Sequence, residues 1–392
     1  MMKHKTKRII TPILIFIFAL MLCSCQSNTV PIDTEISNVQ DNTPANETHK
    51  IDIPEIDVPS DDRVKTILAQ MTLEEKVAQM FFVRCPSTGA VETLENYALG
   101  GYVLFGRDFK DKTPDEIINT IETYQNTAKI PLLIGVDEEG GNVVRASRYP
   151  AFRESPFLSP QDLFEQGGYS LIQLDTIEKI DFLKNLGINV NLAPVCDIST
   201  NPDDFIYSRS FGQSPENTSV YTSLVVAEMK SAQMGSVLKH FPGYGNNADT
   251  HTGIAYDSRP FEQLEAKDFL PFKAGIIAGA DSVLVSHNVV ESVDATLPAS
   301  LSPAINAILR KDLAFNGVIM TDDMAMEGVK NFSNTDTAVL AIIAGNDLII
   351  TSDHKTQIAN VLDAVKKGEI STAKIDASVE RILTWKINLG IL

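Results

Sequence analysis

Eight short apolar runs, each followed by a helical pattern, constrain this chain more than any other feature. They occupy residues 81–83, 102–105, 132–136, 190–193, 236–238, 282–285, 318–320 and 348–350. A strand with one wet face alternates apolar and polar residues. A continuous apolar run marks a strand buried on both faces, as in parallel sheets. The helices between the runs have readable starts. Thr72-Leu73-Glu74-Glu75 is a capping box, and Thr113-Pro114, Ser214-Pro215 and Ser302-Pro303 place proline at a first helical position. Gly235 and Gly317 fall between a helical pattern and the next strand, where a helix should have stopped. Eight β-then-α units predict an α/β fold, a single (β/α)8 TIM-like barrel. A six-stranded doubly wound sheet is the alternative, and it would require two of the runs to be something else.

The residues that follow the runs are ionisable in nearly every unit. Arg84 follows the first, Arg107 the second, and Asp137-Glu138-Glu139 the third. Asp197 lies beyond the fourth and Lys239-His240 closes the fifth. His287 ends the sixth, Asp322-Asp323 the seventh, and Asp353-His354 the eighth. Polar loops alone would scatter such charges. In a barrel these ends converge on one face, where barrel enzymes place their chemistry.

The fifth unit carries the densest pattern. Its strand ends in Lys239-His240, a Pro/Gly turn follows, and the polar loop beyond holds Asp249 and His251 two residues apart. Packing gives no reason to end a core strand in Lys-His. The run Lys239-His240-Phe241-Pro242-Gly243-x-Gly245, followed by Asp249-Thr250-His251, resembles the signature of the family 3 glycoside hydrolases in their β-N-acetylglucosaminidase branch. Tyr244 stands where a His is usual and Asn246 where an Asp is usual. The resemblance runs from about residue 62 to residue 392, and the segment 375–383 is similar to the family's closing helix.

The resemblance implies roles. Gly317-Val318-Ile319-Met320-Thr321-Asp322 is similar to the nucleophile strand, in which an Asp follows Ser or Thr; the match falls on Asp322. Side chains alternate along a strand, so Asp322 and Asp323 cannot both face the axis. Asp323 is expected to cap the segment after Met324. Retaining glycoside hydrolysis needs a nucleophile and a proton donor. In this branch the donor is the His of the Asp-x-His pair, here His251, partnered by Asp249. A histidine titrates near neutrality, and a neighbouring carboxylate orients it and stabilises its charged form. The family's sugar-binding positions match Asp137, Arg209, Lys239 and His240. An ion-pair ring at the barrel mouth would use the same four residues without any sugar. Arg107 and His287 are weaker candidates. Arg145 and Glu138 are expected to support their loop, and Asp353-His354 to lie at the surface or rim. Glu138 and Glu139 are the next acids should His251 only bind.

The N-terminal segment gives an expectation of export from the cytoplasm. Lys3, Lys5, Lys7 and Arg8 precede an apolar stretch too short for a comfortable span, which ends in Leu22-Cys23-Ser24-Cys25. This reads as a lipoprotein signal peptide over 1–24, with Cys25 lipidated. Residues 25–60 are rich in Asn, Thr, Asp, Pro and Glu and read as a disordered tether. The barrel then occupies 61–392. Formal net charge is −18, and loss of a leader with four Lys/Arg and no Asp/Glu takes it to −22. That excludes a nucleic-acid partner, which needs a basic surface. Cys85 and Cys196 are expected to be buried free thiols, and no stretch has zinc-ligand spacing. The chain is expected to need no cofactor, to be a monomer, and to be anchored outside the bacterial cell membrane by its lipid. The leading expectation is a retaining exo-β-N-acetylglucosaminidase acting on terminal GlcNAc of peptidoglycan fragments or related oligosaccharides. A phosphorylase or β-glucosidase of the same fold, and a lipoprotein that only captures sugar, stay open.

Overall fold

All eight apolar runs form strands: β1 (Phe81–Arg84), β2 (Gly101–Leu104), β3 (Leu133–Val136), β4 (Val190–Asn191), β5 (Gly235–Phe241), β6 (Ser282–Val285), β7 (Val318–Thr321) and β8 (Ile349–Thr351). The computed structural model describes residues 62–250, 253–330, 332 and 336–392. The leader, Cys25, the tether and His251 lie outside the described residues. Every residue of the eight strands is buried except Arg84, which is why the runs do not alternate.

The strands are parallel and stand in chain order. β8 pairs with β1, Phe81 opposite Ile349, and meets β7 on its other side, where Met320 bridges Leu348. A sheet that closes on itself is a barrel, so the doubly wound alternative is excluded. Side chains complete the β7–β8 seam. The Ile350 N–H donates to Thr321 Oγ1 at 3.2 Å, and the Ile319 N–H donates to Asp347 Oδ2 at 2.9 Å. Buried N–H groups need a partner, and here two side-chain oxygens supply it.

The helix starts fall where the caps predicted. Thr72 and Glu75 form the reciprocal box, and Thr113 with Glu116 forms another ahead of Pro114. Ser214 and Ser302 accept from the N–H groups of Asn217 and Ile305. Each such cap is worth about 1 kcal/mol. The two glycines act differently from expectation. The chain after helix Pro215–Ser231 passes through the left-handed region at Gln233, φ 53°, and not at Gly235. A Cβ on Gly235 would sit 2.9 Å from Val190 Cγ2, and one on Gly317 would sit 2.4 Å from the Asp281 carbonyl oxygen. Close approach, not helix termination, therefore demands both.

At the end of β5, Phe241 packs against Phe269 and Phe272, with ring centroids 5.3 and 5.1 Å away. That fixes the end of β5, where Lys239 and His240 sit. The Lys239–His240 peptide is cis. Cys85 and Cys196 are free and buried as expected. Burial pushes the Cys85 thiol up to about 12 and holds Cys196 well above the ordinary thiol range.

Candidate active site

A cavity of about 480 Å³ opens at the C-terminal end of the barrel, within the ~300–1,000 Å³ span of small-molecule sites. Its wall draws on all eight strands or the residues just past them. Arg84 comes from β1, Phe105 follows β2, Asp137 follows β3, and Leu192 follows β4. Lys239 and His240 come from β5, Leu284 from β6, Asp322 follows β7, and Ile350 comes from β8. Arg209, from the loop between β4 and β5, reaches in from the side. Five of the sequence-predicted residues thus meet in one place: Asp137, Arg209, Lys239, His240 and Asp322.

Four of them are bound into one buried network. Lys239 Nζ donates to Asp137 Oδ1 at 2.8 Å and lies 2.5 Å from Glu139 Oε1. Arg209 grips both Glu139 oxygens, at 3.1 and 2.8 Å, and donates to His240 Nε2 at 3.1 Å. Arg145 donates to the other Asp137 oxygen at 3.2 Å. Burial alone would push the Asp137 and Glu139 carboxyls up. Lys239 and Arg145 outweigh it at Asp137, holding that carboxyl well below the usual range, and Arg209 and Lys239 bring Glu139 to about 2. The ion-pair ring weighed above is therefore present, and its members also face the cavity. Removing one member would strand buried charge, at about 3–5 kcal/mol.

His240 has a carboxylate partner that the sequence pattern did not reveal. Its Nδ1 lies 2.7 Å from Asp197 Oδ2, which also accepts the His240 N–H at 3.1 Å. A guanidinium only donates, so Nε2 accepts from Arg209 and Nδ1–H donates to Asp197. Asp197 arrives there because the chain past β4 stays paired with β5: the Cys196 N–H donates to the Lys239 carbonyl at 2.6 Å. Two further arginines were also undervalued. Arg145 reaches the cavity itself, beyond supporting its loop. Arg84 pairs with Asp323 at 3.1 Å and lies 4.3 Å above the Phe105 ring.

Both aspartates follow the end of β7 and both border the cavity, so alternation does not turn one of them away; what separates them is their partners. Asp322 lines the cavity, and its Oδ1 accepts the Asp323 N–H at 2.8 Å. Asp323 also borders the cavity but is engaged elsewhere: it pairs with Arg84 and accepts the Ala325 N–H at 2.9 Å. It caps that turn and not a helix, since the next helix begins at Glu327. Glu138 supports its loop as expected, accepting the N–H groups of Arg145 and Ala146 at 2.9 Å and bonding Ser147 Oγ. Glu139 is held ionised between two cations, so it has no proton to give.

Arg107, His287, Asp353 and His354 fall away from the cavity. Arg107 is half exposed and donates to the Cys85 carbonyl at 2.5 Å. His287 is buried; its Nε2 donates to the Asp323 carbonyl at 3.1 Å and its Nδ1 meets Ser300 Oγ at 2.8 Å, so it braces the turn after β7. Asp353 is exposed, but His354 is not at the rim. It is buried edge-on to Tyr97 at 5.5 Å, and burial lowers its pKa. Asp249 is half-buried in the loop after β5. The next residue, Thr250, accepts the Gly328 N–H at 3.1 Å through its carbonyl, and Glu327 beside Gly328 lines the cavity.

A barrel whose strand ends hold an aspartate opposite a Lys–His–Arg–Asp cluster fits the comparisons with known proteins. The model of the glycosyl hydrolase family 3 N terminal domain matches residues 72–385, and the chain belongs to that family. A beta-hexosaminidase of Stenotrophomonas maltophilia (strain K279a) is 32% identical over 300 residues, covering 74% of this chain and 88% of its own length. Among solved structures, a family 3 beta-N-acetylglucosaminidase from Paenibacillus sp. str. FPU-7 superposes with a TM-score of 0.75 at 29% identity. That match covers 82% of this chain, which spans 63% of the Paenibacillus chain. A beta-N-acetylhexosaminidase from Beutenbergia cavernae DSM 12333 gives a TM-score of 0.72 at 28% identity, over 81% of this chain and 98% of its own.

Proposed function

We propose that this protein is a retaining exo-β-N-acetylglucosaminidase that removes terminal β-linked GlcNAc through a covalent glycosyl-Asp322 intermediate. The observation that carries the reading is the single cavity shared by Asp322 and the four sugar-binding candidates. Asp322 attacks the anomeric carbon as the bond to the leaving oxygen breaks. His251, paired with Asp249, gives its proton to that oxygen and then takes one from the water that releases the sugar. Asp137 offers acceptors to sugar hydroxyls, while Arg209 and Lys239 offer donors. His240 Nε2 is held toward the same space by Asp197. Thr250 docks on Gly328, next to a cavity residue, which supports delivery of His251 to the site. The names of the relatives support GlcNAc as the sugar.

The test is a panel of aryl β-glycosides of GlcNAc, glucose and xylose, with and without inorganic phosphate. The GlcNAc glycoside is expected to turn over, unaffected by phosphate, releasing the β-hemiacetal first. Phosphate-dependent release would make the protein a phosphorylase, preference for glucose a β-glucosidase, and no turnover a sugar-capturing protein. An α-hemiacetal as first product would remove the covalent intermediate.

We further propose that the chain is lipid-anchored through Cys25 outside the cell membrane, with peptidoglycan fragments as substrate. The leader and the acidic, Pro-containing segment after it support that reading. Cys25→Ala is expected to shift the protein from the detergent phase to the aqueous phase on partitioning, or to block its maturation. Equal partitioning of the two forms would overturn the anchor.

A further inference from the structure

We propose that Tyr244 is a positioning residue that couples the sugar-binding pair Asp197–His240 to the segment carrying the acid–base histidine. The inference rests on the role given to His251 above. Tyr244 is 1% exposed, and three of its contacts carry the coupling. Its N–H donates to Asp197 Oδ1 at 2.7 Å, while the other Asp197 oxygen holds His240. Its ring stands edge-on to the His240 ring, centroids 5.3 Å apart and planes at 89°. Its hydroxyl is hydrogen-bonded to Thr250 Oγ1. Thr250 is itself fully buried and directly precedes His251.

The hydroxyl bond is separable from the rest of the loop's anchoring. The start of the loop is fixed by Arg259, which donates to the Gly243 carbonyl at 2.8 Å and bridges Asp257 and Asp268. Arg259 packs so closely on Gly245 that a Cβ there would meet its Nη1 at 2.4 Å. Removing the Tyr244 oxygen therefore leaves the entry to the loop intact. What it strands is the Thr250 hydroxyl, in a place water does not reach, on the residue before the proton donor. Two buried hydroxyls satisfy each other, whereas one alone favours a shift of the backbone that carries it. Burial raises the phenol above its ordinary pKa, with Asp322's charge adding to the effect, so the oxygen keeps its proton.

A misplacement of about 1 Å can cost on the order of 10²-fold in rate. That loss belongs to proton donation, so it should depend on the leaving group. The experiment compares Tyr244→Phe, Thr250→Val, the double variant and Thr250→Ser across aryl GlcNAc glycosides of graded leaving-group pKa. Tyr244→Phe and Thr250→Val are each expected to lower kcat/KM about 10–100-fold for the poorest leaving group and under about 2-fold for the best. Inhibition by free GlcNAc should be unchanged. The double variant should be no worse than the poorer single variant, and Thr250→Ser, which keeps the hydroxyl, should be near wild type. If Tyr244→Phe fails to fold, Thr250→Val and Thr250→Ser carry the same comparison. An equal loss for all leaving groups, or additive losses in the double variant, would reduce Tyr244 to a packing residue. His251→Ala, measured alongside, separates the two ideas. A flat response there overturns the acid–base assignment itself, while a steep response there with a flat one for Tyr244→Phe overturns only the coupling.

Discussion

Asp322→Asn is expected to leave a folded barrel whose turnover is lower by on the order of 10⁴–10⁶-fold, the scale seen when a nucleophile is removed from a unit that acts together. Asn suits this test better than Ala. Asp322 Oδ1 accepts the Asp323 N–H at 2.8 Å, and an amide oxygen can keep that bond. The turn that presents Asp323 to Arg84 then survives, and the loss can be read as chemistry. Most other residues of the cavity give no such clean reading. Lys239 and Arg209 sit in a buried charge network, so their removal mixes lost binding with lost stability. Reaction with a slow fluorinated glycoside, followed by peptide mapping, locates the covalent bond. A label on Asp323 or on any glutamate would overturn the assignment.

His251→Ala is expected to slow poor leaving groups by about 10²–10⁴-fold, the usual worth of general acid catalysis, and activated aryl glycosides far less. A nitrophenolate departs without a proton, whereas an alcohol does not. The second half-reaction also needs a base, so the variant should accumulate glycosyl-enzyme. Azide needs no base and should relieve the block, yielding a β-glycosyl azide. Glu138 and Glu139 cannot take over. Backbone N–H groups occupy the first, and Arg209 and Lys239 keep the second ionised. Asp249→Asn should move in the same direction more weakly, because the imidazole remains but is less well oriented. Equal losses for good and poor leaving groups, with no response to azide, would leave His251 as a binding residue only.

The parts of this molecule that a local pattern can carry were legible in the chain. Continuous apolar runs reveal strands buried on both faces, and all eight lie where the runs do. Alternation does not separate Asp322 from Asp323, because β7 stops at Thr321 and both border the cavity; the Arg84 pairing of Asp323 does. The cap residues mark their helices because a cap bond spans only three residues. What escaped the sequence is what depends on distant partners. Asp197 holds His240 from 43 residues away and Glu139 holds Arg209 from 70. Neither distance has a periodicity to betray it. The burial of His354 against Tyr97 is of the same kind, as is the approach of Arg145 to Asp137 across a loop. A charged strand end reads as a site residue, but its partner is settled only when the barrel closes.

The joint between β7 and β8 gives a second meaning to the hydroxyl residue that precedes Asp322. Thr321 Oγ1 receives the Ile350 N–H, one position before the proposed nucleophile. Valine has the same outline but no acceptor. It would leave that buried amide unanswered, at a cost of about 1–3 kcal/mol, at the last stitch of the barrel. The hydroxyl of Thr321 then serves construction rather than chemistry. Asp322, the proposed nucleophile, stands on the hoop's weld, so the strand that would hold it still is also the strand that completes the circle.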